Sequence, residues 1–389
     1  MMKLGGDKFL DDKLAQLAAL DCRVLIRFDP LRPNSRTTQA DLVKTYMRCV
    51  FYIPDDRESM WSGYPSEPVI AEAAARLLNG GDSDIMSLGP TILESALRQG
   101  LLARGERGEL VARTLFTVAH DLAIMRRHTD APLGPRFHRP VQFLDLLQNL
   151  LASDIWTVVR KALPFHAYPG AVTLEDAYKD AWVNFSHFVQ LGDYASFNLG
   201  FASELLKRGA AMQTSDNHHN MDIGMPIYHG DPSTTIIGED TTSIAQYQIK
   251  NASGEKSVFP DPLLAGSNDH RRPVISIVMQ LGIENGDGER VKVVTKPKGT
   301  DTPAGRTRSS VHSDPADINR RHYVIWLYGC SWKTYSCIPV DSKTYRRILR
   351  ADKLFPNLAP ADAPDNESSM YALKPVMFDR AGICKAWSS

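Results

Sequence analysis

Cysteine is scarce: five residues in 389, Cys22, Cys49, Cys330, Cys337 and Cys384, with no C-x-x-C pair among them. A scattered, odd-numbered set suggests neither a zinc ribbon nor a disulfide framework, and it predicts reduced thiols. No run of about 18 apolar residues occurs, so no membrane span is expected. The opening stretch, MMKLGGDKFLDDKL, carries charges where a signal peptide needs its apolar core, which predicts an intracellular protein, cytoplasmic or nuclear. Net charge is also missing: 45 Lys and Arg balance 45 Asp and Glu, which excludes a general basic coat but not a local patch. The sequence has no G-x-x-x-x-G-K-[ST] loop, no G-x-S-x-G elbow, no H-E-x-x-H helix and no G-x-G-x-x-G turn. P-loop, serine hydrolase, zincin and dinucleotide-binding readings therefore lose their usual support.

What remains is ordinary globular composition, 43% apolar and 23% charged, enough for two or three cores at roughly 100 to 200 residues each. From about Ala40 to Val189 the apolar spacing is helical. EPVIAEAAARLLNGG repeats at three and four residues and stops on Gly-Gly, and ERGELVARTLFTVAHDLAIMRR ends on basic residues that suit the helix dipole. PVQFLDLLQNLLASDIWTVVRKAL starts on proline and reads as one or two helices. TLEDAYKDAWVNFSHFVQL reads as another, with Thr173 as N-cap and Asp176 three residues later. After about Asn198 the texture changes. NLGFASELLKRGA is a last helix before short β-rich runs, AAMQTS, MDIGMPIYHG, SIAQYQIKN, PVISIVMQLGI, RVKVVTK, HYVIWLYGCS and YSCIPV. Helices first and strands second define an α+β class. The expected organisation is a lead segment over 1–39, a helical region over 40–197, a sheet domain over 198–350 and a tail over 351–389. Lys296 to Asn319 and Pro356 to Ser368 read as loops.

Chemistry concentrates in IAQYQIKN, Ile244 to Asn251. In a strand, residues i and i+2 share a face, so Gln248 and Lys250 project together while Ile249 points away. In NMDIGMPIYHG, Asp222 opens another strand, with Ile223, Met225 and Ile227 opposite to it in period two. If the two strands are neighbours, an acid, an amide oxygen and a lysine converge. Asp222, Gln248 and the Ile249 carbonyl are oxygen donors of the kind a hard divalent cation takes, and Lys250 is placed to hold a water or phosphate beside it.

These residues resemble a known family. Asp222 followed 26 residues later by a strand-borne QIK is similar to the core of PD-(D/E)XK nucleases, in the variant where Gln replaces the acidic residue. The resemblance implies a restriction-endonuclease-like mixed sheet with a helical region packed on it, Mg2+ (or Mn2+) as cofactor and DNA as partner. It also implies a helix glutamate. Glu109 in LLARGERGELVARTLF, within a first nuclease helix over 101–127, and Glu204 in GFASELLKRGAAM both stand as candidates. The wider text SGYPSEPVIAEAAARLL, GERGELVARTLFTVAHD, MDIGMPIY and AQYQIKN also resembles the nuclease-like C-terminal module of fungal Crinkler-related effector families, in which a P-loop NTPase often precedes the module. The chain is then expected to be a piece of such an architecture without its motor.

Other features have plainer readings. His218 and His219 in DNHHNMD are adjacent, so a strand would face them apart, and they read as a polar loop; His120 reads as structural. Arg290 to Arg350 holds thirteen Lys and Arg against four Asp, interleaved with Tyr323, Trp326, Tyr328, Trp332 and Tyr335. Lys292, Lys296, Arg320 and Arg321 are thus candidates for phosphate contact, with aromatics for base stacking. The neutral amide at Gln248 and the balanced charge keep a second class open, a catalytically decayed module used for interaction or regulation.

Overall fold

The computed structural model describes residues 9–350 apart from 31, 58, 82, 103, 128–135, 166–169, 193–197, 215–220, 257–271, 284–287 and 296–320. Loop expectations over Lys296 to Asn319 and Pro356 to Ser368, the His218–His219 pair, Lys296, Arg320 and Cys384 therefore lie outside the described residues. Met1–Arg350 form one compact unit.

The helical part opens with α1 (Lys13–Val24), α2 (Pro33–Thr45), a hairpin of β1 (Cys49–Tyr52) and β2 (Trp61–Gly63), α3 (Pro68–Leu78), α4 (Ile85–Arg98) and α5 (Arg107–Arg127). The ends follow capping rules. Asp12 Oδ1 accepts from Ala15 N at 2.9 Å and Asp84 caps α4, while α2 and α3 start on Pro33 and Pro68. The sheet part follows: β3 (Val141–Gln142), α6 (Phe143–Leu150), α7 (Ser153–Val159), α8 (Leu174–Tyr178), β4 (Ala181–Val183), β5 (His187–Gln190), α9 (Leu199–Arg208), β6 (Ala210–Gln213), β7 (Ile223–His229), β8 (Thr242–Lys250), β9 (Val274–Gln280), β10 (Val291–Val293), β11 (His322–Tyr328) and α10 (Thr344–Arg350). The protein is α+β, as its sequence predicts.

One nine-stranded mixed sheet runs β10-β11-β9-β8-β7-β4-β3, with β6 joining β7 to β5. β6, β7 and β8 form an antiparallel meander, then β9 and β11 add in parallel. Both faces are covered. On one face α5 packs through Phe116, whose ring centroid lies 4.4 Å from that of Tyr247. On the other, α9 supplies Leu205 to a cluster with Met212, Met221 and Ile244, and farther along Phe165, Ile283 and Val294 pack on Val278, Val324 and Trp326. Hence β7, β9 and β11 are buried along their whole length, as strands covered on both faces are.

Three segments depart from the expected pattern. Thr173 does cap a helix, accepting from Asp176 N at 3.2 Å, but that helix ends at Tyr178 and the rest of TLEDAYKDAWVNFSHFVQL becomes β4 and β5. The run Trp182, Val183, Phe185, Phe188 and Val189 is aromatic and β-branched, and edge pairing with β7 and β6 buries it better than one more turn would. YSCIPV is not a strand. It is a set of turns with one bridge, Tyr335 to Leu151, ahead of Pro339, whose missing N–H suits a turn. The third departure is the β1–β2 hairpin, set in a stretch whose spacing reads as helical.

Charged residues bind the helical part to the sheet. Arg23 on α1 is fully buried; it donates to both Asp121 oxygens, at 2.9 and 2.7 Å, and through Nε to Ser186 O at 2.6 Å. Burial alone would raise the Asp121 carboxyl, but Arg23 outweighs it and holds the group below its ordinary value. Asn79 Nδ2 completes the site at 2.7 Å from Asp121 Oδ2. His120, next along α5, is fully buried and burial pushes its pKa down, in keeping with a structural role.

Buried histidines make stability depend on pH. His187 shares hydrogen bonds with Ser66 at 2.8 Å and Ser186 at 3.1 Å, and burial, with Arg23, His138 and Arg208 adding, pushes it down to about 4. His229, bonded to Ser243 at 2.6 Å, is pushed down to about 3 by burial and then Arg272. The folded state stays neutral where the unfolded chain takes up protons, so their stabilisation is complete above the ordinary histidine range near 6.5 and is lost as pH falls below it. Urea titrations at pH 7, 5.5 and 4.5 should show a falling midpoint, and His187→Gln should flatten that slope by up to about 3 kcal/mol. Asp121→Ala, which strands Arg23 in the core, should cost about 3 to 5 kcal/mol at pH 7 in the same assay.

Candidate functional site

The strands of Asp222 and Gln248 are adjacent. β7 pairs antiparallel with β8, Ile223 opposite Tyr247, and Asp222, the residue before β7, also donates its N–H to Tyr247 O at 2.9 Å. Asp222 therefore lies beside the end of β8. Its Oδ2 accepts from Ile249 N at 2.5 Å and sits 3.8 Å from Lys250 Nζ. Asp222 and Lys250 thus meet at one end of the sheet, on the face that Gln248 shares by alternation. Their side chains are 12% and 24% exposed, whereas Gln248 is 2% exposed, so the corner opens to solvent at Lys250 and closes over the amide.

Glu109 reaches the same end from the opposite face. It lies in the first turn of α5, where a carboxylate is favoured by the helix dipole. Gly108 lets that turn sit down on β8: a Cβ built there would be 3.3 Å from Ile249 and 3.2 Å from Asn251. The carboxylate Oε2 accepts from Gln213 Nε2 at 2.5 Å, and Gln213 pairs with Ile223, the residue after Asp222. Glu204 is elsewhere. It faces outward from α9, 61% exposed, and pairs with Lys207 at 2.7 Å.

Several residues behind this corner are not evident as functional in the sequence. Gln213 is held by Arg113, fully buried, which donates Nη1 to Gln213 Oε1, Nε to Val24 O at 2.8 Å and Nη2 to Leu25 O at 3.0 Å. Thr214 Oγ1 donates to Met221 O at 2.6 Å and so fixes the approach to Asp222. The face of Gln248 continues as a polar strip, where Ser276 Oγ donates to Gln246 Oε1 at 3.2 Å and shares a hydrogen bond with His322 at 2.9 Å. The only signal for Gln213 is one polar residue in the apolar run AAMQ, which is too common a pattern to single it out.

Of the basic candidates, Lys292 and Arg321 are described and exposed. Lys292 is opposite Trp326 in the β10–β11 ladder, with its ammonium 5.9 Å from the ring centroid. Trp326 is in turn in register with Val278 and Gln248, so this cation lies in the same cross-strand row as the corner. Tyr323 belongs to the other face, where its hydroxyl donates to Val172 O at 2.9 Å.

The donors suit a hard cation in kind. They are oxygens only, from Asp222, Gln248 and, behind the sheet end, Glu109. Among the described residues no three His, Cys, Asp or Glu side chains gather as a metal cluster. A cation here would be held by one or two carboxylates, with water and a phosphate completing its shell, an arrangement magnesium accepts.

Comparison with known proteins adds one match. The model of a family described as a domain of unknown function, DUF8736, matches residues 11–131, under a third of the chain. That span holds α1 to α5 and Glu109 and leaves out Asp222, Gln248 and Lys250. No curated protein and no solved structure matches the chain. Among the described residues no helix is long and apolar enough to cross a membrane.

Gln213 bridges Glu109 and Arg113, so Gln213→Ala would leave both with a buried vacancy. The expected cost is about 1 to 3 kcal/mol in urea unfolding. Gln213→Glu, which sets a second carboxylate against Glu109 while giving Arg113 a charged acceptor, should be less destabilising at pH 4 than at pH 7, since the carboxylate pair takes up a proton as pH falls.

Proposed function

We propose that the protein is a metal-dependent nuclease that hydrolyses phosphodiester bonds in DNA. The observation that carries this reading is the Asp222–Lys250 approach of 3.8 Å across adjacent strands, with Gln248 on the same face. In this reading Asp222 and Gln248, with Glu109, hold Mg2+ or Mn2+, which when bound supplies positive charge to a phosphate and lowers the pKa of water. Lys250, the most exposed member, holds the phosphate and the attacking water and offsets charge that builds on the phosphoryl oxygens. Ile249 N–H fixes the rotamer of Asp222, and Gln213 fixes that of Glu109. Lys292 and Arg321, together with Lys296 and Arg320, track the backbone. The resemblance to PD-(D/E)XK nucleases supports the same assignment.

One observation favours a second reading, a decayed module that keeps the fold for interaction or regulation. Asp222 is already engaged by Ile249 N–H and Lys250, and the amide at Gln248 is buried. Cleavage of plasmid and single-stranded DNA with magnesium and with manganese separates the two. Cleavage by the parent, with a loss of at least about 100-fold in both Lys250→Ala and Asp222→Ala, is expected for the nuclease. A folded parent inert with either metal would leave the decayed module, and full activity in both variants would place the active site elsewhere.

A further inference from the structure

The β1–β2 hairpin gathers several large apolar side chains at the surface. Every residue of β1 is exposed, and the large apolar side chains around it face solvent: Phe51 at 66%, Tyr52 at 60%, Ile53 at 51% and Trp61 at 52%. These four present on the order of 400 to 500 Å², the size of the largest patch on a typical monomer, which is often functional, and about half of one partner's share in a standard interface. The hairpin forms a two-stranded sheet of its own, and among the described residues no strand pairs with the outer edge of either strand.

The base of the hairpin is pinned. Arg48 is buried and forms an ion pair with buried Asp21 on α1; it donates to Ser62 Oγ at 2.8 Å and Ser62 O at 2.6 Å, and its guanidinium stands 4.6 Å from the Phe28 ring centroid. Ser62 Oγ donates in turn to Gln39 on α2 at 2.7 Å. A two-stranded ribbon alone is marginal in water. Here a buried charge pair holds one in place with its apolar residues outward, a preorganised surface that loses little freedom on docking.

We infer that this hairpin is a dimerisation element, and that its occupant is the hairpin of a second copy of the chain, related by a two-fold axis through β1. Charge selects the occupant. Cys49 to Ile53 carry no charge, so like strands meet without repulsion, whereas Asp55 and Asp56 follow at the tip and oppose insertion into an anionic lipid surface. Antiparallel apposition separates the two acidic tips and brings each toward exposed Lys44, in the last turn of the other copy's α2. Apolar area is covered at the centre and opposite charges meet at the rim.

Light scattering coupled to size exclusion, on the full chain across micromolar concentrations, tests this. The parent should show twice the chain mass, and Phe51→Asp and Tyr52→Lys should each halve it while the thermal midpoint, read on samples dilute enough for the parent to be monomeric, stays within a few degrees of the parent's. Two variants are used so that one which fails to fold does not decide the matter. A parent that is monomeric throughout overturns the proposal, as does a dimer that survives both substitutions. Flotation with phosphatidylcholine vesicles covers the lipid alternative: a monomeric parent that floats, and a Phe51→Asp variant that does not, would assign the hairpin to a membrane surface instead.

Discussion

The guanidinium of Arg113 is the point on which helices, sheet and candidate site all depend. It is fully buried, and its donors go to Val24 O and Leu25 O at the end of α1 and to the Gln213 amide on β6. A guanidinium so placed is costly unless its donors find oxygens, and burial works against its charge, lowering its pKa, while Glu106 and then Glu109 support it. The constraint is geometric as well as electrostatic. Because Arg113 fixes Gln213, and Gln213 fixes Glu109, the carboxylate at the start of α5 cannot move without disturbing a buried charge. Arg23 and Asp121 repeat the device farther along α5, tying α1 and α5 to Ser186 just ahead of β5.

This arrangement accounts for what could and could not be read from the chain. The meander that carries Asp222, Gln248 and Lys250 was legible because period-two apolar residues in MDIGMPIYHG and SIAQYQIKN specify strand and face together, and the observed pairing of Ile223 with Tyr247 follows that alternation. The helix of Glu109 was legible from its long three-and-four spacing. Its pattern offered Glu109 ahead of Glu204, but what holds Glu109 at the end of the sheet, Gln213, is 104 residues away and was not legible. Sequence proximity favoured Glu204, and the packing of α9 through Leu205 and Leu206 turns that residue to solvent.

Two of the misread segments share one cause. DAWVNFSHFVQL has enough apolar residues for either a helix or two strands, and the choice is made by the open edges of β6 and β7, which no local pattern encodes. The β1–β2 hairpin is the reverse case. Its local signal was lost in a helical neighbourhood, and what fixes it is the buried Arg48–Asp21 pair beneath it. Both show a strand decided by partners distant in sequence.

The bonds of Arg23 also bear on how the chain acquires its fold. Its partner Asp121 lies within the span that the domain family matches, but its third acceptor, Ser186, is 163 residues away, and Arg113 waits on Gln213, 100 residues away. While the chain grows from its N-terminus, α1 to α5 can assemble early, yet both guanidiniums stay incompletely bonded until β5 and β6 arrive. Contacts of such long range make closure slow, since the entropy of the intervening loop is lost before the bond forms. The boundary near residue 131 is thus a boundary of likeness between sequences and not of cooperative folding, and the helical half reaches its final stability only when the sheet closes against it.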